Sequence, residues 1–130
     1  MWLNLGLLWL RVLMGTGIAL HGYQKVFTPG FIPQFAQGVA KMGFPAPMAF
    51  AWAAALSEFV GGILVVFGLG TRLGALVIFT TMSVAVFIHH APDPLKVKEL
   101  ALAYWTMSGA LLLIGGGAFS LEVKLFGKRR

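Results

Sequence analysis

Four acidic side chains are spread over the 130 residues, and one of them, Glu58, stands in the middle of an apolar run from about Met48 to Leu69. Arg11 stands in the same position within a first apolar run, from about Leu3 to Tyr23. An ionisable group at such depth is costly unless it is paired or faces a polar cavity. On a helix, Glu58 shares its stripe with Ala51, Ala54, Ala55, Gly61 and Gly62. All are small, so another helix or a ligand can approach closely. Arg11 shares its stripe with Asn4, Gly15, Ile18 and Gly22, and helical rise puts it at a depth compatible with Glu58. Two chemistries follow. One is a buried Arg11–Glu58 ion pair that fixes helix register. The other makes Glu58 a proton acceptor or hydrogen-bond partner for a bound polar head group, with Arg11 adjusting its acidity.

A second polar group is expected at one membrane face. His21 lies one turn from the end of the first run, His89 and His90 end the third, and Glu99 lies in the first turns of the fourth. Tyr23 and Lys25 are close by in sequence, and Glu99, Ala103, Thr106 and Ala110 form a stripe expected to face inward. Imidazole titrates near neutrality, so such a mouth could exchange protons with a quinone-like or lipid head group. The same residues could equally be wet interfacial side chains, with Glu99 stabilised by its own helix N-terminus. Adjacent His89 and His90 diverge by about 100° on a helix and cannot share one ion without distortion. No metal site is expected. The chain has no cysteine, hence no disulfide, thiolate nucleophile or iron–sulfur ligand. No phosphate loop or nucleophile elbow is present, and catalytic residues stay unassigned. A redox role would need a quinone or a partner subunit, since no cofactor is intrinsic to the chain.

The elements that carry these residues follow from composition. Hydrophobic residues make up 58% of the chain and charged residues 11%, against about 25% charged in an ordinary soluble domain. A span takes about 20 residues, so four consume about 80 and leave the rest for connections. The expected fold is an all-α membrane protein: a four-transmembrane-helix antiparallel bundle forming one domain, with spans near 3–23, 48–69, 71–90 and 94–114. Thr71 offers an N-cap to the third helix, and Asp93 followed by Pro94 offers one to the fourth. Between the first and second spans, segment 31–43 reads as a short interfacial helix. Phe35, Val39 and Met42 fall on one face, and Gln34, Gln37 and Lys41 on another. It is either a lid over the bundle or a connector.

The formal charge of +6 would suggest nucleic acid in a soluble chain, but here the positive residues cluster at the ends of apolar segments and in the basic tail 120–130. They set orientation instead, and no nucleic-acid partner is expected. Four spans put both termini on one side, with Arg72, Lys124, Lys128, Arg129 and Arg130; the other side carries Lys25, Lys41, Lys96 and Lys98. The balance favours cytoplasmic termini in a plasma-membrane protein.

Three pieces resemble the DoxX family of small membrane proteins. They are Leu10-Arg11 followed by His21-Gly22-Tyr23-Gln24-Lys25-Val26-Phe27; Glu58-Phe59-Val60-Gly61-Gly62 leading to Gly68-Leu69-Gly70-Thr71-Arg72; and Glu99-Leu100-Ala101 with Tyr104, then Gly115 to Glu122. The last piece departs from the family's GPGRFSLD, with Gly116 for Pro, Ala118 for Arg and Glu122 for Asp. The resemblance implies a four-helix membrane protein and marks Arg11, His21, Lys25, Glu58, Arg72 and Glu99. Some members are associated with thiosulfate:quinone oxidoreductase, others with oxidative-stress complexes or membrane-protein assembly.

The leading expectation is a redox- or stress-associated membrane subunit that binds a quinone-like or lipid ligand in its bundle, alongside a partner subunit or further copies of itself. Glu58, Arg11, His21, His89 and Glu99 are its first candidates for ligand binding or proton handling, and Lys25, Arg72 and Tyr104 its second. The alternatives are a structural or assembly factor whose buried charges only fix packing, and a small proton or solute conduit.

Overall fold

The computed structural model describes residues 2–89 and 93–126. Its helices are α1 (Trp2–Phe27), α2 (Phe31–Lys41), α3 (Pro47–Phe67), α4 (Thr71–Val84), α5 (Leu95–Ile114) and the short α6 (Leu121–Phe126). A π-helical turn, Ala85–His89, continues α4. Among the described residues, three stretches are long and apolar enough to cross a membrane: Trp2–Phe27, Pro47–Phe67 and Thr71–Ile88. Their outward faces carry side chains such as Trp9, Leu20, Val60 and Leu73, all exposed. That pattern suits hydrocarbon as the solvent.

Small residues bring the helices together. The most extensive contact is between α1 and α3, which pass in opposite directions, Gly22 lying on Phe59 and Gly15 on Gly62 and Val66. A Cβ at Gly22 would run into the main-chain nitrogen of Phe59, and one at Gly62 would lie 2.7 Å from the nitrogen of Ala19. Gly61 and Gly74 do the same for α3 and α4, a Cβ on Gly74 meeting the Gly61 carbonyl at 2.9 Å. Backbones this close gain dispersion energy that larger side chains would forfeit. The main core then collects Leu7, Met14, Ile18, Val65, Ala75, Ile78, Met82 and Leu111.

The amphipathic segment forms α2, and its apolar face seats on α3 through Ile32, Ala36 and Val39 against Ala51 and Ala55. Gly30 and Gly43 adopt left-handed backbone at its two ends, the region open to glycine without a Cβ penalty.

Four local expectations are corrected. Helix α1 runs past Tyr23 to Phe27, because nothing breaks it before Thr28-Pro29-Gly30. Helix α4 is not capped by Thr71; Gly70 occupies the cap position, and the acceptor for the Thr71 N–H is Glu122 Oε1 at 2.8 Å. Helix α5 starts at Leu95, with extended Pro94 as its cap, one residue later than the Asp93-Pro94 pattern suggested. Its inward face also differs. Glu99, Ala103 and Thr106 are exposed, while Ser108 and Leu111 are buried and Tyr104 and Trp105 pack against the core. Trp105 stacks on Phe79 at 5.5 Å and donates its indole N–H to Ser83 Oγ at 3.0 Å. Packing two aromatic rings against the core outweighs turning the Glu99, Ala103 and Thr106 stripe inward.

Candidate functional site

The polar residues of the α1–α3 pair separate into two centres, one at the C-terminal end of α3 and one near its middle. At the first lies Arg11, 1% exposed. Its Nη1 donates to the carbonyls of Val65 (3.1 Å) and Val66 (3.2 Å), and its Nη2 to that of Phe119 (2.6 Å). Val65 and Val66 belong to the last turn of α3, where carbonyls lack partners within the helix. Glu122 faces the same corner: its N–H donates to the Gly68 carbonyl at 2.9 Å while its carboxylate caps α4. Arg72 repeats the device on α5, donating to the carbonyls of Leu113 and Ile114, both at 3.3 Å. Asn4 accepts the Ala118 N–H at 3.0 Å. These side chains close helix ends and pin the Gly115–Leu121 segment to them.

The expected Arg11–Glu58 pair is therefore not formed. Glu58 lies seven residues before Val65, roughly 10 Å along α3, and its ion-pair partner is Lys25, whose Nζ is 2.9 Å from Oε2. The reach comes from α1 continuing about one turn beyond Tyr23, which turns Lys25 from a loop residue into a helix residue facing α3.

Around this pair lies a cavity of about 830 Å³. Lys25 is roofed by the Phe35 ring, 5.2 Å from Nζ, so α2 covers the ion pair. Phe31, Val39 and Met42 extend that cover; Phe50, Ala54 and Ser57 of α3 and Leu76, Thr80 and Thr81 of α4 form facing walls. His21 and Tyr104 line the cavity from α1 and α5 and meet edge-on, their rings 5.9 Å apart. Glu58 has a side chain 3% exposed, and its Oε1 is buried with no hydrogen-bond partner. A buried charged oxygen left in this state costs free energy that a bound donor would recover. Ser57 donates to the Ala54 carbonyl at 2.8 Å and lies 2.6 Å from Thr81 Oγ1. The arrangement can bind an amphiphile and relay protons; among the described residues no group of three His, Cys, Asp or Glu side chains comes close enough to hold a metal.

Of the residues singled out in the sequence, Glu58, His21, Lys25 and Tyr104 meet at the cavity. Arg11 and Arg72 belong to the helix-end centre, and Glu99 is exposed on α5. His89 closes the π turn, but its side chain lies outside the described residues, as do His90 and the tail from 127 onward. Sequence reasoning missed Ser57, Thr81 and Phe35 as cavity residues, and Glu122 as the α4 cap. The i, i+4 spacing of Phe31 and Phe35 on α2 was the available signal for Phe35.

An all-α bundle with membrane-length apolar helices and a polar centre within it defines an integral membrane protein. Residues 6–91 match the DoxX family, and the chain belongs to it. It is 38% identical over 95 residues to the inner membrane protein YphA of Escherichia coli K12, covering 66% of this chain and 68% of that protein. It is 28% identical over 123 residues to the inner membrane protein YqjF of the same organism, covering 92% and 91%. The protein is integral to the inner, or plasma, membrane. No solved structure matches the chain.

Proposed function

We propose that the protein is a membrane subunit of redox or stress physiology that holds a quinone-like or lipid-like amphiphile in its bundle, head group against Glu58 and Lys25. The observation that carries this reading is Glu58 Oε1, buried and unpartnered on the wall of a cavity of about 830 Å³. That volume falls within the roughly 300–1,000 Å³ of small-molecule sites. The lining is mostly apolar, which suits a hydrocarbon tail, and the few polar groups converge at one place. Lys25 neutralises the carboxylate, so the pair tolerates burial. His21 and Tyr104 on one side, and Ser57, Thr80 and Thr81 on the other, supply further polar atoms.

In this reading α5 is the fourth span of an antiparallel bundle, α2 lies at the membrane interface over the cavity mouth, and both termini face the cytoplasm. Arg11, Arg72, Glu122 and Asn4 hold the cytoplasmic end together. The chain carries no cysteine, so electron transfer would require the bound quinone and a partner subunit.

The test is extraction of the detergent-purified protein followed by mass spectrometry of the organic phase. Wild type should carry an isoprenoid quinone or one defined lipid near stoichiometry, and Glu58→Gln should lose it while still folding cooperatively. A wild-type extract holding only bulk membrane lipid would contradict the proposal.

A further inference from the structure

One polar atom of the cavity has a fixed hydrogen-bonding sense and no partner. On the α3–α4 side, Ser57 and Thr81 largely satisfy each other: Ser57 Oγ lies 2.8 Å from the Ala54 carbonyl and 2.6 Å from Thr81 Oγ1. Thr80 donates to the Leu76 carbonyl at 2.9 Å. A carboxylate bonded to an ammonium has no proton to give, and Glu58 Oε1 is left without a partner. On that wall the open acceptor is Glu58 Oε1. Across from it the α1–α5 side supplies the remaining Lys25 ammonium protons, with the Tyr104 hydroxyl and the His21 ring able to donate as well as accept. Aromatic side chains flank the same space, Phe35 over Lys25 and the Phe44–Phe50 pair with centroids 5.1 Å apart.

A head group that fits must therefore donate toward Glu58 and accept from Lys25 or Tyr104. A hydroxyl does both. A quinone carbonyl or an ether oxygen only accepts, and would set its lone pairs against those of Glu58. A phosphate head would add negative charge beside the carboxylate. The flanking rings favour a planar aromatic partner over an aliphatic alcohol. We propose that the cavity selects a phenolic head, a hydroquinone above all, over the corresponding quinone or aryl ether, with Glu58 Oε1 as the specificity-determining acceptor. The inference rests on the cavity being a ligand site.

Binding to the full-length protein in detergent, measured by titration calorimetry, separates the two. The probes share one decyl tail: a benzohydroquinone kept reduced under anaerobic conditions, its dimethyl ether, and the benzoquinone. One charge-assisted hydrogen bond predicts that the hydroquinone binds about tenfold or more tightly than either of the others. Glu58→Gln should shrink that ratio to about threefold or less, since a neutral amide oxygen accepts more weakly. Thr81→Val, which keeps volume, should shrink it partially. Should Glu58→Gln fail to fold, the wild-type ranking with Thr81→Val decides. Equal binding of all three probes, or tighter binding of the quinone or the ether, would overturn the donor selection while leaving a ligand cavity in place. Binding of none of them would overturn both.

Discussion

Lys25 Nζ lies 2.9 Å from Glu58 Oε2, joining the end of α1 to the middle of α3 inside the bundle. The lysine is partly exposed and the glutamate is not, so the pair has one wet end and one dry end. Neutralisation is what lets Glu58 stay at depth, and it predicts how the pair responds to being broken.

Lys25→Met should destabilise the protein by about 2 kcal/mol, below the 3–5 kcal/mol of a fully buried pair because Lys25 reaches solvent. Adding Glu58→Leu should restore most of that loss. Thermal unfolding of the two single variants and the double in detergent measures the coupling; a double variant as unstable as the sum of its parts would mean the two side chains act independently.

Arg11 should behave differently, because its partners are carbonyls and not Glu58. Arg11→Met should cost about 3 kcal/mol, and Arg11→Lys should recover little, since an ammonium cannot span both α3 and Phe119. Combined with Glu58→Leu, the effects should add to within about 0.5 kcal/mol. A strong non-additivity in the melting data would restore a direct Arg11–Glu58 relationship.

Glu122 caps α4 from a distant part of the chain. Glu122→Ala should cost about 1 kcal/mol, as N-cap losses do, while Glu122→Gln should cost about half as much because the amide oxygen still accepts the Thr71 N–H. Chemical denaturation of the two variants side by side distinguishes a cap from a purely electrostatic partner of Arg11, for which Gln would be no better than Ala.

Gly22 admits no side chain, its missing Cβ being replaced by the backbone of Phe59. Gly22→Ala should therefore separate α1 from α3 and cost about 1–3 kcal/mol. Gly38→Ala, where nothing lies nearby, should leave the melting temperature unchanged or slightly raised. Equal effects at both sites would contradict the close packing.

Much of this arrangement was legible in the residues. The small stripe around Glu58 is read directly from its 3.6-residue period, and the buried face of α3 carries Ala51, Ala55, Gly61 and Gly62 beside it. The α2 helix was equally plain from its alternating faces. Partners were harder. Arg11 bonds to main-chain oxygens, which every residue carries and no side-chain pattern reveals. Lys25 was hidden by placing the end of α1 at Tyr23, when apolar and polar residues alike continue a helix until a breaker arrives. The face of α5 was misjudged because small residues pack helices only where nothing larger competes, and there Tyr104 and Trp105 compete.

The most direct test of the central claim is native mass spectrometry of the wild-type protein beside Ala54→Trp, a substitution that puts an indole into the cavity while leaving both Glu58 and Lys25 in the sequence. The account predicts a single bound species on the wild type and none on the folded variant. A bare wild-type protein, or an adduct equally abundant on both, would contradict it.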